Sequence, residues 1–155
     1  MFLLVLNFGA LGIGILLMNN GPQDSWYTAL NKAPWTPPGW FFGVAWTTIM
    51  IAFSIYMAYL IQAKSTANIW LLFFVQFILN TSWNYVFFNQ HLVLVGLLVI
   101  VLLTLLVGYF LLKFRNLMKQ KTWLMLPYFI WLIVAGSLNA YVYLTTKFSN
   151  EFQQQ

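Results

Sequence analysis

A chain of 155 residues that is 62% apolar, 20% aromatic and only 6% charged cannot clothe a water-soluble fold, which ordinarily carries about 25% charged residues, and it is too apolar to stay disordered. Its formal net charge of +5 is too small and too scattered for a nucleic-acid footprint. With no cysteine there is no disulfide, no thiolate metal site and no cysteine nucleophile.

The remaining class is a membrane protein, and the apolar runs are read in chain order. A helix needs roughly 20 apolar residues to cross a bilayer core. Charge-free runs of that kind are predicted at about 2–18, 40–62, 69–88, 92–112 and 123–146. They form one all-α transmembrane domain over 1–147, followed by a short, frayed tail at 148–155. The runs are continuous rather than alternating, which excludes a β-barrel. The first run lacks the basic flank and the small-residue cleavage site of a signal peptide, so it is read as a retained span.

The first connection, 19–39, is the long one, and it holds four of the five prolines. Loops of this length in compact domains are functional or disordered. Trp26, Tyr27, Leu30 and Trp35 with few charges predict a folded lid on the membrane surface. Asn20-Gly21-Pro22 reads as a turn, and Asp24-Ser25 as the start of a short helix over about 25–31 that ends near Pro34. Residues 63–68 and 89–91 read as short turns, and 113–122 as a basic loop. Five spans put the two termini on opposite sides. The N-terminal side then receives Lys64, Lys113, Arg115, Lys119 and Lys121, and the other side Lys32 and Lys147. The positive-inside rule places the N-terminus and the 113–122 loop in the cytoplasm.

Inside the spans the polar residues fall on faces. Gln76, Asn80 and Asn84 stand at i, i+4 and i+8 of the third run and share one face. Trp131, Ala135 and Asn139 repeat that spacing in the fifth run, and Trp46 and Met50 are four apart in the second. Amides in hydrocarbon must find partners, so these faces turn inward, either as interhelical glue or as the lining of a ligand pocket. The tryptophans divide between an interfacial belt and that lining. No span interior carries Asp, Glu, Lys or Arg, which disfavours a proton-coupled transporter or an ion pump. The single His91 lies in a turn, so a buried cytochrome haem has no axial histidine. No Ser-His-Asp set and no carboxylate pair is available for hydrolysis.

Read together, these residues resemble the translocator protein family, also called the tryptophan-rich sensory protein, TspO/MBR or peripheral-type benzodiazepine receptor family. Trp26-Tyr27, Leu30, Lys32 and Trp35-Thr36-Pro37-Pro38-Gly39-Trp40 look like its first-loop signature. Phe42-Gly43 and Trp46-Thr47 look like its second helix. Leu79-Asn80 with Trp83, Phe87 and Phe88 looks like its third helix, and Leu126-Pro127-Tyr128 with Trp131, Ala135, Leu138 and Asn139 like its fifth. Three departures stand out: Ala33 separates Lys32 from Pro34, the 93–98 stretch has no acidic residue, and Asn84 replaces a Ser or Thr.

The resemblance implies a five-helix bundle, commonly a homodimer in a bacterial cell membrane, with a pocket under the first loop. It implies porphyrin, haem, or another flat hydrophobic ligand of the cholesterol or benzodiazepine type, with no obligatory cofactor and no metal. Carried over by motif position, the pocket residues are Tyr27, Trp35, Trp46, Met50, Asn80, Trp83, Trp131, Ala135 and Asn139. The implied role is a receptor or sensor in stress or tetrapyrrole regulation rather than a conventional enzyme. Two alternatives go with it: breakdown of bound protoporphyrin in light and oxygen, with Trp46 and Trp131 as the reacting side chains, and passive carriage of lipid, sterol or porphyrin.

Overall fold

A computed structural model of the chain describes the backbone of residues 1–152 and the side chains of residues 1–147. It is all-α, with no strand among the described residues. Five helices are long and apolar enough to cross a membrane. They are α1 (Phe2–Leu17), α3 (Gly39–Ala63), α4 (Ala67–Asn84), α5 (Val93–Lys113) and α7 (Leu126–Phe152). Two short helices lie between them, α2 (Ser25–Ala29) in the first connection and α6 (Arg115–Met118) in the fourth.

The helix ends follow from local chemistry. The Asp24 carboxylate accepts the Trp26 backbone N–H at 2.8 Å and caps α2, as a short side-chain acceptor does at an N-cap. Pro38 precedes α3 and Pro127 is the second residue of α7, positions where a missing N–H costs nothing. A five-residue π turn, Tyr85–Asn89, extends α4. The basic 113–122 stretch is more ordered than the sequence suggested. α6 is followed by a 3-10 turn over Lys119–Met125, and the fifth span begins only at Leu126. Phe114, Met118 and Met125 are buried beneath this segment and tie it to the bundle. At the other end, the helix continues to Phe152 into the stretch read as a frayed tail, and residues 153–155 lie outside the described ones.

The long helices close into a ring. α1 packs on α3 and α4, α4 on α5, α5 on α7, and α7 on α3. The half of the interior away from the first connection is solid: Phe53, Tyr56, Met57, Leu60, Phe73, Leu103, Val107 and Phe110 are all buried there. Phe53 stacks on Phe73 at 6.0 Å and meets Tyr128 edge-on at 5.5 Å. The outward faces carry exposed Val5, Leu16, Ile51, Leu71, Ile78, Leu98, Leu105 and Ile133, the surface a bilayer requires.

One polar pair bridges α1 and α3, and a bond within α3 anchors it. Asn7 Nδ2 donates to Ser54 Oγ at 2.7 Å, joining α1 to α3, and Ser54 Oγ donates to the Met50 carbonyl at 2.6 Å. Small residues set the closest approach of α1 to α4. Ala10 and Gly14 are buried, and the Asn84 amide fills the space that a side chain at Gly14 would need.

Candidate functional site

The other half of the interior, beneath the first connection, is where polar and aromatic side chains gather. The connection itself is folded. A 3-10 turn over Gly21–Gln23 leads into α2, and Gly21 adopts φ +50°, a left-handed conformation that glycine enters without strain. Trp26 stacks on His91 (4.1 Å, 12° between planes) and meets Phe87 edge-on at 5.5 Å. Tyr27 lies over Phe88 at 5.2 Å and Phe87 at 6.3 Å, and burial raises its phenol pKa above the ordinary value. Lys32 Nζ sits 4.3 Å from the centre of the Tyr27 ring, a cation–π contact. The lid therefore rests on the end of α4 and on the turn after it.

Below the lid, Trp83 stacks on Phe87 at 5.1 Å with only 10° between planes. Asn139 of α7 reaches the same place. A side chain at Gly96 would meet both the Asn139 amide and the Phe87 ring at 3.3 Å, so glycine there lets the two approach across α5. One level deeper, Tyr128 is the hub. It accepts a hydrogen bond from Gln76 Nε2 at 2.7 Å, donates to Asn80 Oδ1 at 3.3 Å, and meets Trp46 edge-on at 6.2 Å. Trp131 packs against Phe42 at 5.3 Å and Phe41 at 5.8 Å. Met50 is fully buried at this level, and Ala135 lies between Trp131 and Asn139 on their shared face.

Several polar atoms in this half have no partner. Trp83 Nε1, Trp131 Nε1, Thr81 Oγ1, Gln76 Oε1 and both polar atoms of the Asn139 amide are buried without a hydrogen bond. Native interiors leave few such groups, and in a bilayer no water compensates for them.

The structure thus brings Tyr27, Trp46, Asn80, Trp83, Trp131, Ala135 and Asn139 to one end of the bundle, around Phe87 and Tyr128. Trp35 does not join them. Its indole Nε1 donates to Ser137 Oγ at 3.2 Å, its ring meets Tyr141 edge-on at 5.4 Å, and the residue is 54% exposed. Ser137 and Tyr141 each stand two positions from an inward residue of α7, which turns them about 160° away from that face. Trp35 thus clasps the outside of α7.

Tyr128, the polar hub, is a site residue that spacing alone did not mark. Its signal was indirect: Gln76 and Asn80 need partners, and a tyrosine early in the opposing helix can supply one. Gly96, the one glycine in the first half of the Val/Leu-rich α5, is a second. A further concavity lies outside the ring, a groove of about 430 Å³ between α3 and α7. Pro37, Phe41, Ala45, Ile49, Trp131 and Val134 help line it. Trp131 thus faces both this membrane-side groove and the interior set.

Residues 2–144 match the model of the TspO/MBR family. Over 119 residues the chain is 40% identical to Protein CrtK of Rhodobacter capsulatus, covering 74% of each chain. It is 35% identical over 124 residues to the tryptophan-rich protein TspO of Bacillus cereus, covering 77% of this chain and 79% of that one. It is 32% identical over 116 residues to the tryptophan-rich sensory protein of Cereibacter sphaeroides, covering 75% and 73%.

Proposed function

The chain belongs to the TspO/MBR family, and on that premise we propose that it is a membrane receptor of the sensory type, binding porphyrin or a similar flat hydrophobic ligand beneath the first connection. One observation carries this reading: buried, unpaired donors and acceptors on Trp83, Trp131 and Asn139 at the aromatic end of the ring. A tetrapyrrole has the matching chemistry. Its faces suit Trp83, Phe87 and Trp46 by stacking, and its polar edge supplies partners for the indole N–H groups and the amide. Lys32, partly exposed on the lid, can meet a carboxylate from above, but its exposure keeps that contribution small. A bacterial cell membrane, a homodimer and a cytoplasmic N-terminus belong to the same reading.

The test is a titration of purified protein with protoporphyrin, read by quenching of tryptophan fluorescence. Wild type quenches saturably. Trp83→Phe and Trp131→Phe, which remove the unpaired N–H but keep an aromatic ring, each bind about tenfold more weakly. Unchanged affinity in both variants refutes the site.

A second reading draws on Trp46, which lies against the Tyr128 ring; two oxidisable side chains stand side by side there. On this reading bound protoporphyrin is degraded in light and oxygen, with Trp46 and Trp131 as the reacting groups. It requires a product that forms with wild type and disappears with Trp131→Phe. Identical products with and without protein exclude it.

A further inference from the structure

The end of the bundle opposite the lid carries Lys64, Lys113, Arg115, Lys119 and Lys121, and all five are exposed. The two acidic residues of the chain, Asp24 and Glu151, stand before α2 and near the end of α7, at the lid end. Among the described side chains no carboxylate stands at the end where the cations lie.

These cations sit on a folded platform. Lys119 has φ 49° and ψ −123°, outside the conformations a non-glycine residue readily adopts. It is held there between buried Met118 and buried Met125. Lys121 Nζ is pinned 3.7 Å from the centre of the Tyr59 ring of α3, which draws this segment toward Lys64 at the end of that helix. Strain persists only where the surroundings over-determine it, and here it sets the backbone from which Lys119 projects. Leu112, Leu117 and Trp123, exposed by 78%, 45% and 71%, flank the cations. Such side chains seat a segment at headgroup depth.

We infer that this platform is a binding surface for anionic phospholipid headgroups, engaged from the leaflet in which it lies. The partner is a lipid because the cations begin at the last residue of α5 and stand among groups that enter the bilayer interface. Helix C-termini favour nearby cations by themselves. That accounts for Lys64 and Lys113; Arg115 and Lys119 flank only the single turn of α6, too short for an appreciable dipole, and Lys121 lies inside the 3-10 segment. The positive-inside rule acts while the chain inserts; a binding surface persists in the purified protein, and this difference separates the two. This surface stands apart from the ligand site at the other end.

The experiment extracts the protein in a neutral detergent, offers an equal mixture of phosphatidylglycerol and phosphatidylcholine, and counts retained lipids by native mass spectrometry. Wild type retains phosphatidylglycerol about tenfold over phosphatidylcholine, and the preference falls with added salt. The triple variant Lys113→Gln, Lys119→Gln, Lys121→Gln loses it, while arginine at the same three positions keeps it. Tryptophan fluorescence and helical circular dichroism check that each variant is folded. Equal retention of both lipids by wild type overturns the proposal, as does undiminished preference in the folded glutamine variant. Displacement by inorganic phosphate at the same headgroup concentration would assign the surface to a free anion instead.

Discussion

At the scale of single residues, Asn139 is the most telling. It is 3% exposed and neither polar atom of its amide is paired, so it costs stability in the free protein. Asn139→Leu is expected to raise the thermal unfolding midpoint in detergent, by an amount equivalent to about 1–3 kcal/mol, while weakening protoporphyrin. A simple packing role predicts a lower midpoint instead. Tyr27 gives a pH test. Burial raises its folded pKa, so the contribution is intact below the unfolded value of about 10 and is lost as pH rises through the folded value. Alkaline titration should therefore loosen the lid, seen as a change in Trp26 emission, and Tyr27→Phe should reduce that response. Residues also mark how far a sequence can be read. The i, i+4, i+8 faces of α4 and α7 were legible because helical geometry fixes them. Trp35 was not. Its place depends on how the Pro-rich connection turns, and residues flanked by proline have no periodicity to follow. Asn7 and Ser54 were silent for another reason: an isolated polar residue in an apolar run carries no spacing from which to find its partner.

At the scale of elements, the contact of α1 with α4 is limited by Gly14 and Asn84. Gly14→Leu must push the helices apart or expel the amide. It should destabilise the bundle by about 1–3 kcal/mol, measured by thermal unfolding, whereas Gly12→Leu, with nothing within 4 Å, should be nearly neutral. α2 is too short to hold by itself and rests on its cap and its aromatic contacts. Asp24→Ala removes the cap for about 1 kcal/mol and should speed ligand release more than it lowers the global midpoint. The helical spans announced themselves by composition. The π turn at Tyr85–Asn89 and the 3-10 segment at Lys119–Met125 did not, since both arise where packing forces the end of a helix to carry more or fewer residues per turn.

At the scale of the whole molecule, hydrophobic length gives five helices able to cross a membrane but not which of them touch. The ring order follows from where glycine and the paired amides fall, and those pairings exist only in three dimensions. The opposed-end arrangement is open to a direct test, because the native chain has no cysteine. Single cysteines at positions 20 and 90 should react with an impermeant reagent from one side, and those at 65 and 117 from the other. Reaction of 90 and 117 from the same side would break the five-span topology.

The order of the ring also has a consequence for synthesis. α7 lies between α3 and α5 and carries Tyr128, the observed partner of Gln76 and Asn80. α7 leaves the ribosome after the other four long helices, so the two amides of α4 are made before their hydroxyl. A chain stopped after the fourth span lacks Tyr128, and with it the hydroxyl that Gln76 and Asn80 share in the closed ring.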